Sequence, residues 1–207
     1  MKTGLIVALT TEYDALRRSG VKDVTRSGIG KADAARAATE MILNEHPDCI
    51  INSGCAGGLA PSVNVGDIVL GAQVAYHDVW CGEGNLRGQV QGLPQRFDAD
   101  PDLLAAARSL QTDNPLHCGL ICTGDQFIST VEEDERIRGL YPDALACDME
   151  SAAIAQVCLH YGVPFLSFRI ISDTRSGGEN RFSAYQDFWE RIADGSFTFI
   201  RHLLERL

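Results

Sequence analysis

The sequence has no long apolar run, no block of basic residues and no paired-cysteine spacing. Its longest apolar stretches cover residues 5–9 and 163–171, the second interrupted by Pro164, Ser167 and Arg169. Both fall short of the roughly 18–20 apolar residues that a membrane-spanning helix needs, so no membrane partner is expected. Met1-Lys2-Thr3 leads straight into the first apolar stretch, without an apolar leader core or a small-residue cleavage site. The expected location is therefore cytoplasmic. Lys and Arg number 18 against 28 Asp and Glu, a net charge of −10, and the basic residues are scattered among acids. Nucleic acid is not an expected partner, although a pocket for one small anion stays possible. The seven cysteines form an odd set without CxxC spacing, which argues against a disulfide framework and against a zinc site. Cys49, Cys118, Cys122, Cys147 and Cys158 lie in apolar or helical contexts, where cysteine behaves as a small buried hydrophobe.

What is there is an ordinary globular composition, with 45% hydrophobic and 22% charged residues in a chain of 207. That length supports one well-buried core and is short for two typical domains, so residues 1–207 are read as one domain. Residues 5–9 predict a buried strand, followed by a short helix to about residue 16 that Thr10 or Thr11 could cap. Residues 21–26 read as a short extended piece, and Ser27-Gly28-Ile29-Gly30 as a tight turn. The spacing of Ala34, Ala38, Met41 and Ile42 predicts a helix from Lys31 to about residue 45, closed by Pro47. A second central strand is expected at 49–52, and three glycines in the five residues 54–58 follow it at once.

Further on, residues 67–70 and 73–76 read as two short strands. Residues 77–96 are polar and glycine-containing, a binding loop or an interface segment. Helices are expected at about 101–110, 131–138 and 150–160, with strands at 116–123, near 145–147 and at 165–171. Residues 173–183 are a candidate mobile loop. A final helix should run from about Tyr185 to about Leu204, with a break near Gly195. This alternation predicts a three-layer α/β domain, with a central mixed β-sheet flanked by helices.

Ligands of open α/β sheets bind beyond the carboxyl ends of the strands. That rule selects Glu12, residues 54–58, Phe127, Met149-Glu150 and Ser172-Asp173, each of which follows an expected strand. Three carboxylates, Glu12, Glu150 and Asp173, thus come from distant parts of the chain to one sheet edge. Carboxylates at strand ends also serve simply as helix caps, so the pattern alone names no reaction. Asp67, Asp125 and Asp148 are read as structural, holding loops through backbone amides. His77-Asp78 is read as shaping a loop or an interface, and no metal is expected there.

An ordered set of segments carries more. Ser27-Gly28-Ile29-Gly30-Lys31, Asn52-Ser53-Gly54-Cys55-Ala56-Gly57-Gly58-Leu59-Ala60, Val65-Gly66-Asp67-Ile68-Val69, Tyr76-His77-Asp78, Thr123-Gly124-Asp125-Gln126-Phe127-Ile128, Asp148-Met149-Glu150-Ser151-Ala152-Ala153-Ile154-Ala155 and Arg169-Ile170-Ile171-Ser172-Asp173 occur in this order. Together they resemble the bacterial 5'-methylthioadenosine/S-adenosylhomocysteine nucleosidases, within the nucleoside phosphorylase superfamily. The resemblance covers residues 1 to about 173 well and the C-terminal helix more loosely.

The resemblance implies a cofactor-free enzyme that hydrolyses the N-glycosidic bond of an adenine nucleoside. It implies that Glu12 activates the attacking water, that Asp173 protonates the purine at N7, and that Glu150 grips the ribose hydroxyls. Arg169 and Cys55 would stand near the water, Phe127 would stack on the base with Ile128 beside it, and Ser172 would support Asp173. Ile29 and Leu9 match positions lining the ribose and its 5' substituent, and Met149 one packing on the sugar. Ala56 and Gly57 would bring backbone close to the ligand, and Tyr185 would replace a closing aromatic. The family is usually dimeric, so a homodimer is implied, with residues 76–97 near the neighbouring site.

The chain departs from the family pattern in places. Cys55 stands where serine is familiar and Leu9 where methionine is usual. The connection between the first helix and Ser27 is shorter. Trp80-Cys81-Gly82-Glu83-Gly84-Asn85 and the residues after Asp173 also differ. Futalosine and 5'-deoxyadenosine are therefore alternative substrates. A phosphate-dependent purine nucleoside phosphorylase is the alternative reaction, and a non-catalytic nucleoside-binding module the alternative class. A phosphate site calls for convergent arginines. Arg26 and Arg169 are available, but Glu12 would repel the anion, so hydrolysis is the leading expectation.

Overall fold

The computed structural model describes residues 1–174, 181–191 and 198–207. Eight strands form one sheet: β1 (Thr3–Val7), β2 (Thr25–Arg26), β3 (Cys49–Gly58), β4 (Ile68–Tyr76), β5 (Arg96–Asp98), β6 (Leu116–Thr123), β7 (Ala144–Asp148) and β8 (Phe165–Thr174). Around it lie α1 (Thr10–Arg18), α2 (Lys31–Glu45), α3 (Pro101–Arg108), α4 (Val131–Leu140), α5 (Ser151–Tyr161), α6 (Arg181–Arg191) and α7 (Thr198–Arg206). The sheet is mixed and flanked by helices, as the alternation of periods predicts.

The sheet order is β2-β1-β3-β7-β6-β4-β5, and β8 pairs with both β3 and β4. β3–β8 and β6–β4 are parallel, as is β7–β6, whereas β4–β8 and β3–β7 are antiparallel. Those pairings close a ring of strands, with β1 and β2 continuing as an open wing beside β3.

Strand periodicity sorts the core into two faces. Leu5, Val7, Cys49 and Ile51 point to a cluster completed by Leu16 of α1, Leu103 of α3 and Phe199, Ile200 and Leu203 of α7. Ile6 and Ile50 point the other way, to α2 and α5. On α2 the buried residues are Ala34, Ala37, Ala38, Met41 and Ile42, the i, i+3, i+4, i+7, i+8 stripe of an amphipathic helix. Each fully buried Leu or Ile side chain adds about 1.5–3 kcal/mol of transfer free energy. On β8, Leu166, Phe168 and Ile170 enter the first cluster. The intervening Ser167 and Arg169 are buried on the opposite side, which sets up the polar network described below.

Several sequence expectations are corrected. Neither Thr10 nor Thr11 caps α1: its N-cap is Leu9, and the Glu12 carboxylate accepts from the amides of Ala8 and Leu9. The two short strands at 67–70 and 73–76 are one strand, β4, with a register shift between Gly71 and Gln73. The strand expected at 49–52 runs on through the glycine run to Gly58 as β3, and its parallel pairing with β8 shifts register between Ala56 and Gly57. The last helix is two, α6 and α7; the expected break near Gly195 lies outside the described residues, as do 175–180 of the expected loop. Residues 181–183 already belong to α6. Among the described residues, no helix is long and apolar enough to cross a membrane.

Candidate active site

A cleft of about 380 Å³ opens where β1, β3, β7 and β8 end. Its wall is formed by Ala8, Leu9 and Glu12 after β1, Ile29 of the turn before α2, and Cys55, Ala56 and Gly57 of β3. Gln126, Phe127 and Ile128 follow β6, residues 147–150 span the end of β7 and the cap of α5, and Ser172 and Asp173 close β8. Phe182 and Tyr185 of α6 complete it. All three carboxylates expected at this edge, Glu12, Glu150 and Asp173, meet here.

At one end, Glu12 is almost fully buried and its carboxylate is held from three sides. Oε2 accepts from Ala8 N at 3.0 Å and Leu9 N at 2.9 Å, and Oε1 accepts from Cys55 N at 2.9 Å. Burial pushes its pKa above the ordinary glutamate value, against the opposing pull of these amides and of the Arg169 charge. A carboxylate raised in this way is a better base near neutrality. The fit demands glycine at 54: a Cβ there would lie 2.7 Å from Glu12 Oε1 and 2.8 Å from Arg169 Nη1.

Arg169 is not part of the cleft wall. It lies one layer behind, 1% exposed, because its place on β8 turns it to the polar side of the strand. Its Nε donates to Asp148 Oδ2 at 2.8 Å, and Nη2 donates to Ser151 Oγ at 3.1 Å and to Asn52 Oδ1. Burial opposes its charge, but Asp148, Glu150 and Glu12 outweigh that and hold it protonated. Asp148 also accepts from Thr123 Oγ1 at 2.6 Å, so this buried ion pair has its remaining lone pairs satisfied. Glu150, at the N-cap of α5, accepts from Gly30 N at 3.0 Å and stands 3.7 Å from Arg169 Nη2. Burial, aided by the negative neighbours Asp148 and Glu12, pushes Glu150 up to about 7.

At the other end, Ser172 Oγ donates to Asp173 Oδ1 at 2.8 Å and Arg181 Nε stands 3.6 Å from Oδ2. Burial raises the Asp173 pKa, although Ser172 and Arg181 both pull it down. Phe127 is partly exposed, with its ring edge-on to Phe182 and Tyr185 at centroid distances of 5.9 and 5.8 Å. Ile29 is exposed, Met149 and Leu9 are half-buried, and Ile128 is buried. The Cys55 thiol is pushed well up by burial and by Glu12, so it lines the cleft as a neutral group. The cleft can therefore take a molecule with an aromatic end beside an acid and a hydroxylated part between two further carboxylates.

The residues read as structural do hold loops. Asp125 Oδ1 accepts from Lys31 N at 2.7 Å, Asp67 Oδ2 from Asn64 N at 2.9 Å, and Asp78 Oδ2 from Asp125 N at 2.9 Å. Asp148 does so as well, but it also lines the cleft. Sequence reasoning missed Ala8, Gln126, Cys147, Phe182 and Arg181. Phe182 had a usable signal, since it precedes Tyr185 by three residues and shares its helix face. Arg181 had none, because only the return of α6 over β8 brings it to Asp173. Among the described residues, no group of three His, Cys, Asp or Glu is placed to hold a metal ion.

A closed mixed sheet with an acid-lined cleft at its strand ends is the arrangement of the nucleoside phosphorylase class, and the comparisons agree. The family model described as Phosphorylase superfamily matches residues 20–205. A 5'-methylthioadenosine/S-adenosylhomocysteine nucleosidase of Geobacillus thermodenitrificans is 40% identical over 204 residues, covering 96% of this chain and 86% of that protein. The crystal structure of the nucleosidase of that name from Neisseria meningitidis, in complex with methylthio-immucillin-A, superposes with a TM-score of 0.90 at 32% identity, covering 100% of both chains. That from Colwellia psychrerythraea, in complex with adenine, gives 0.90 at 32% identity, covering 100% of this chain and 96% of that one. The chain belongs to the 5'-methylthioadenosine/S-adenosylhomocysteine nucleosidase family.

Proposed function

We propose that this enzyme hydrolyses the N-glycosidic bond of 5'-methylthioadenosine and S-adenosylhomocysteine, releasing adenine and the corresponding 5'-thioribose. The observation that carries the reading is the charge of the cleft. Its wall contains Glu12, Asp148, Glu150 and Asp173 and, among the described residues, no lysine or arginine. Such a wall suits a developing cation and a neutral nucleophile, and it repels phosphate.

Breaking the bond leaves positive character on the ribose and negative charge on adenine. Asp173, whose pKa burial raises, acts as the acid and gives its proton to N7 as the C1'–N9 electron pair moves onto the base. Glu12 takes a proton from water, whose oxygen forms the new bond to C1'. This division between an acid and a base on opposite sides of a sugar is that of inverting glycoside hydrolysis. Glu150 accepts the ribose hydroxyls, and Met149 packs on the sugar. Phe127 stacks on the base over Ile128, with Tyr185 closing the edge. Ser172 orients the acid, Arg169 anchors Glu150 and the floor of the cleft, and Cys55, Ala56 and Gly57 give close backbone approach. Leu9 and Ile29 face the 5' substituent.

The same reading makes the protein a cytoplasmic homodimer serving methionine salvage, with residues 76–97 near the neighbouring site. Support for the dimer is the exposure of Trp80 and Leu86, two large apolar side chains in that segment. The test is adenine release from methylthioadenosine, adenosylhomocysteine, 5'-deoxyadenosine and futalosine in phosphate-free buffer. The first two should be cleaved fastest. Strict dependence on phosphate, with ribose 1-phosphate as product, would overturn hydrolysis.

A further inference from the structure

Behind the base end of the cleft, outside its wall, stands a cation that none of these roles uses. Arg181 opens α6 and is 6% exposed. Its Nη2 donates to the Gly58 carbonyl at 2.5 Å and its Nη1 to the Ile128 carbonyl at 3.3 Å. Nη2 also stands 3.6 Å from Asp134 Oδ1 of α4, and Nε 3.6 Å from Asp173 Oδ2. One side chain thereby ties together the end of β3, the Phe127 loop, α4 and the carboxyl at the end of β8.

Resting on the hydrolytic reading, we propose that Arg181 is a positioning residue for the general acid. It holds the Asp173 carboxyl toward the base and stabilises the carboxylate that remains once the proton has passed to N7. In that step the Asp173 O–H bond breaks and the N7–H bond forms, and the negative charge left on Asp173 lies beside a guanidinium already in place. No reorganisation is needed as the charge develops.

Among the described residues, the surroundings of Asp173 make the guanidinium the group that matters. Ser172 beside it on β8 supplies one neutral hydroxyl. The thiols of Cys147 on β7 and Cys55 on β3 interact with it electrostatically, and burial pushes both up, so they stay neutral. Asp134 of α4 pairs with Arg181 Nη2 at 3.6 Å and shares its charge. An opposite charge within about 4–6 Å favours the anionic form of a carboxyl by about one to three pH units. Arg181 therefore makes Asp173 a stronger acid than burial alone would allow, and a stronger acid transfers its proton more readily.

The consequence has a sign that a purely structural arginine would not produce. Arg181→Met should lower kcat on methylthioadenosine about tenfold to a hundredfold, yet move the alkaline limb of the kcat/KM profile upward by about one pH unit. Arg181→Lys, which keeps the charge, should leave the limb near its wild-type position and restore part of kcat. An unmoved limb in Arg181→Met, or an equal shift in Arg181→Lys, overturns the proposal. Arg181→Gln, uncharged but still able to donate to a carbonyl, is the second uncharged variant. If neither uncharged variant folds by circular dichroism, the role is structural and the proposal fails. Wild-type protein that releases no adenine would instead sink the hydrolytic reading. Release that is lost in Asp173→Asn, with no limb shift in the Arg181 variants, sinks only the role of Arg181.

Discussion

At the end of the cleft that holds Glu12, the acids Glu12, Glu150 and Asp148 are 3–7% exposed and surround the side chain of Arg169. At the other end, Asp173 shares its wall with Phe127, Phe182 and Tyr185, rings in edge contact, with Phe127 and Phe182 exposed. The first end is a polar network in which backbone amides and an arginine are fixed before any ligand arrives. The second is largely an apolar surface whose specific chemistry is concentrated in one carboxyl group. Buried charge survives only where its partners are already in place, so most of the fixed charge gathers in the network. Aromatic faces add affinity without fixing charge, so recognition gathers at the mouth.

The largest effect expected from this contrast is on turnover. Glu12→Gln keeps the size of the side chain but removes the base, and should lower kcat by on the order of 10²–10⁴ with KM little changed. Steady-state adenine release measures both. Phe127→Ala should do the opposite, raising KM by up to about tenfold while kcat holds, since it removes a stacking surface shared by ground and transition states. If Phe127→Ala lowers kcat as deeply as Glu12→Gln, the two ends do not divide the work.

The smallest effect is on stability and follows from Glu150. Its folded pKa of about 7 lies above the 4.5 of an ordinary glutamate. Between those values the folded chain binds more protons than the unfolded one, so stability falls as pH rises through that window and the deficit is complete above about pH 7. Glu150→Gln removes the deficit. Its Tm should exceed that of the wild type by roughly 5 °C at pH 8, and the two should converge toward pH 5. Equal differences at both pH values in a thermal melt would mean that Glu150 is ionised throughout.

The contrast also runs through what could be read from the sequence. Glu12, Glu150 and Asp173 each follow an apolar strand, and strand ends are where α/β sheets bind ligands, so their meeting point was legible. α2 was legible, because Ala34, Ala38, Met41 and Ile42 repeat with helical period and Pro47 stops the run. The closing of the sheet was not. β8 reads as one more apolar strand, and nothing in its composition says that it pairs parallel to β3 and antiparallel to β4. The strand was expected to stop at residue 52, before the glycine run 54–58, because glycine inside a strand is unusual. Here glycine is required within a strand, where Gly54 leaves room for Glu12 and Arg169. Arg181 escaped for a related reason, since its role depends on tertiary return and carries no local signature.

β3 begins beside β1, ends beside β7 and is paired with β8 along most of its length. The Cys55-Ala56-Gly57 floor of the cleft therefore belongs to a segment that cannot open without breaking several ladders at once. Phe127, Phe182 and Tyr185 lie outside those ladders, so passage of a nucleoside in and adenine out is expected to involve the aromatic wall. On that expectation product escape and bond cleavage depend on different residues, and selection can adjust one without disturbing the other.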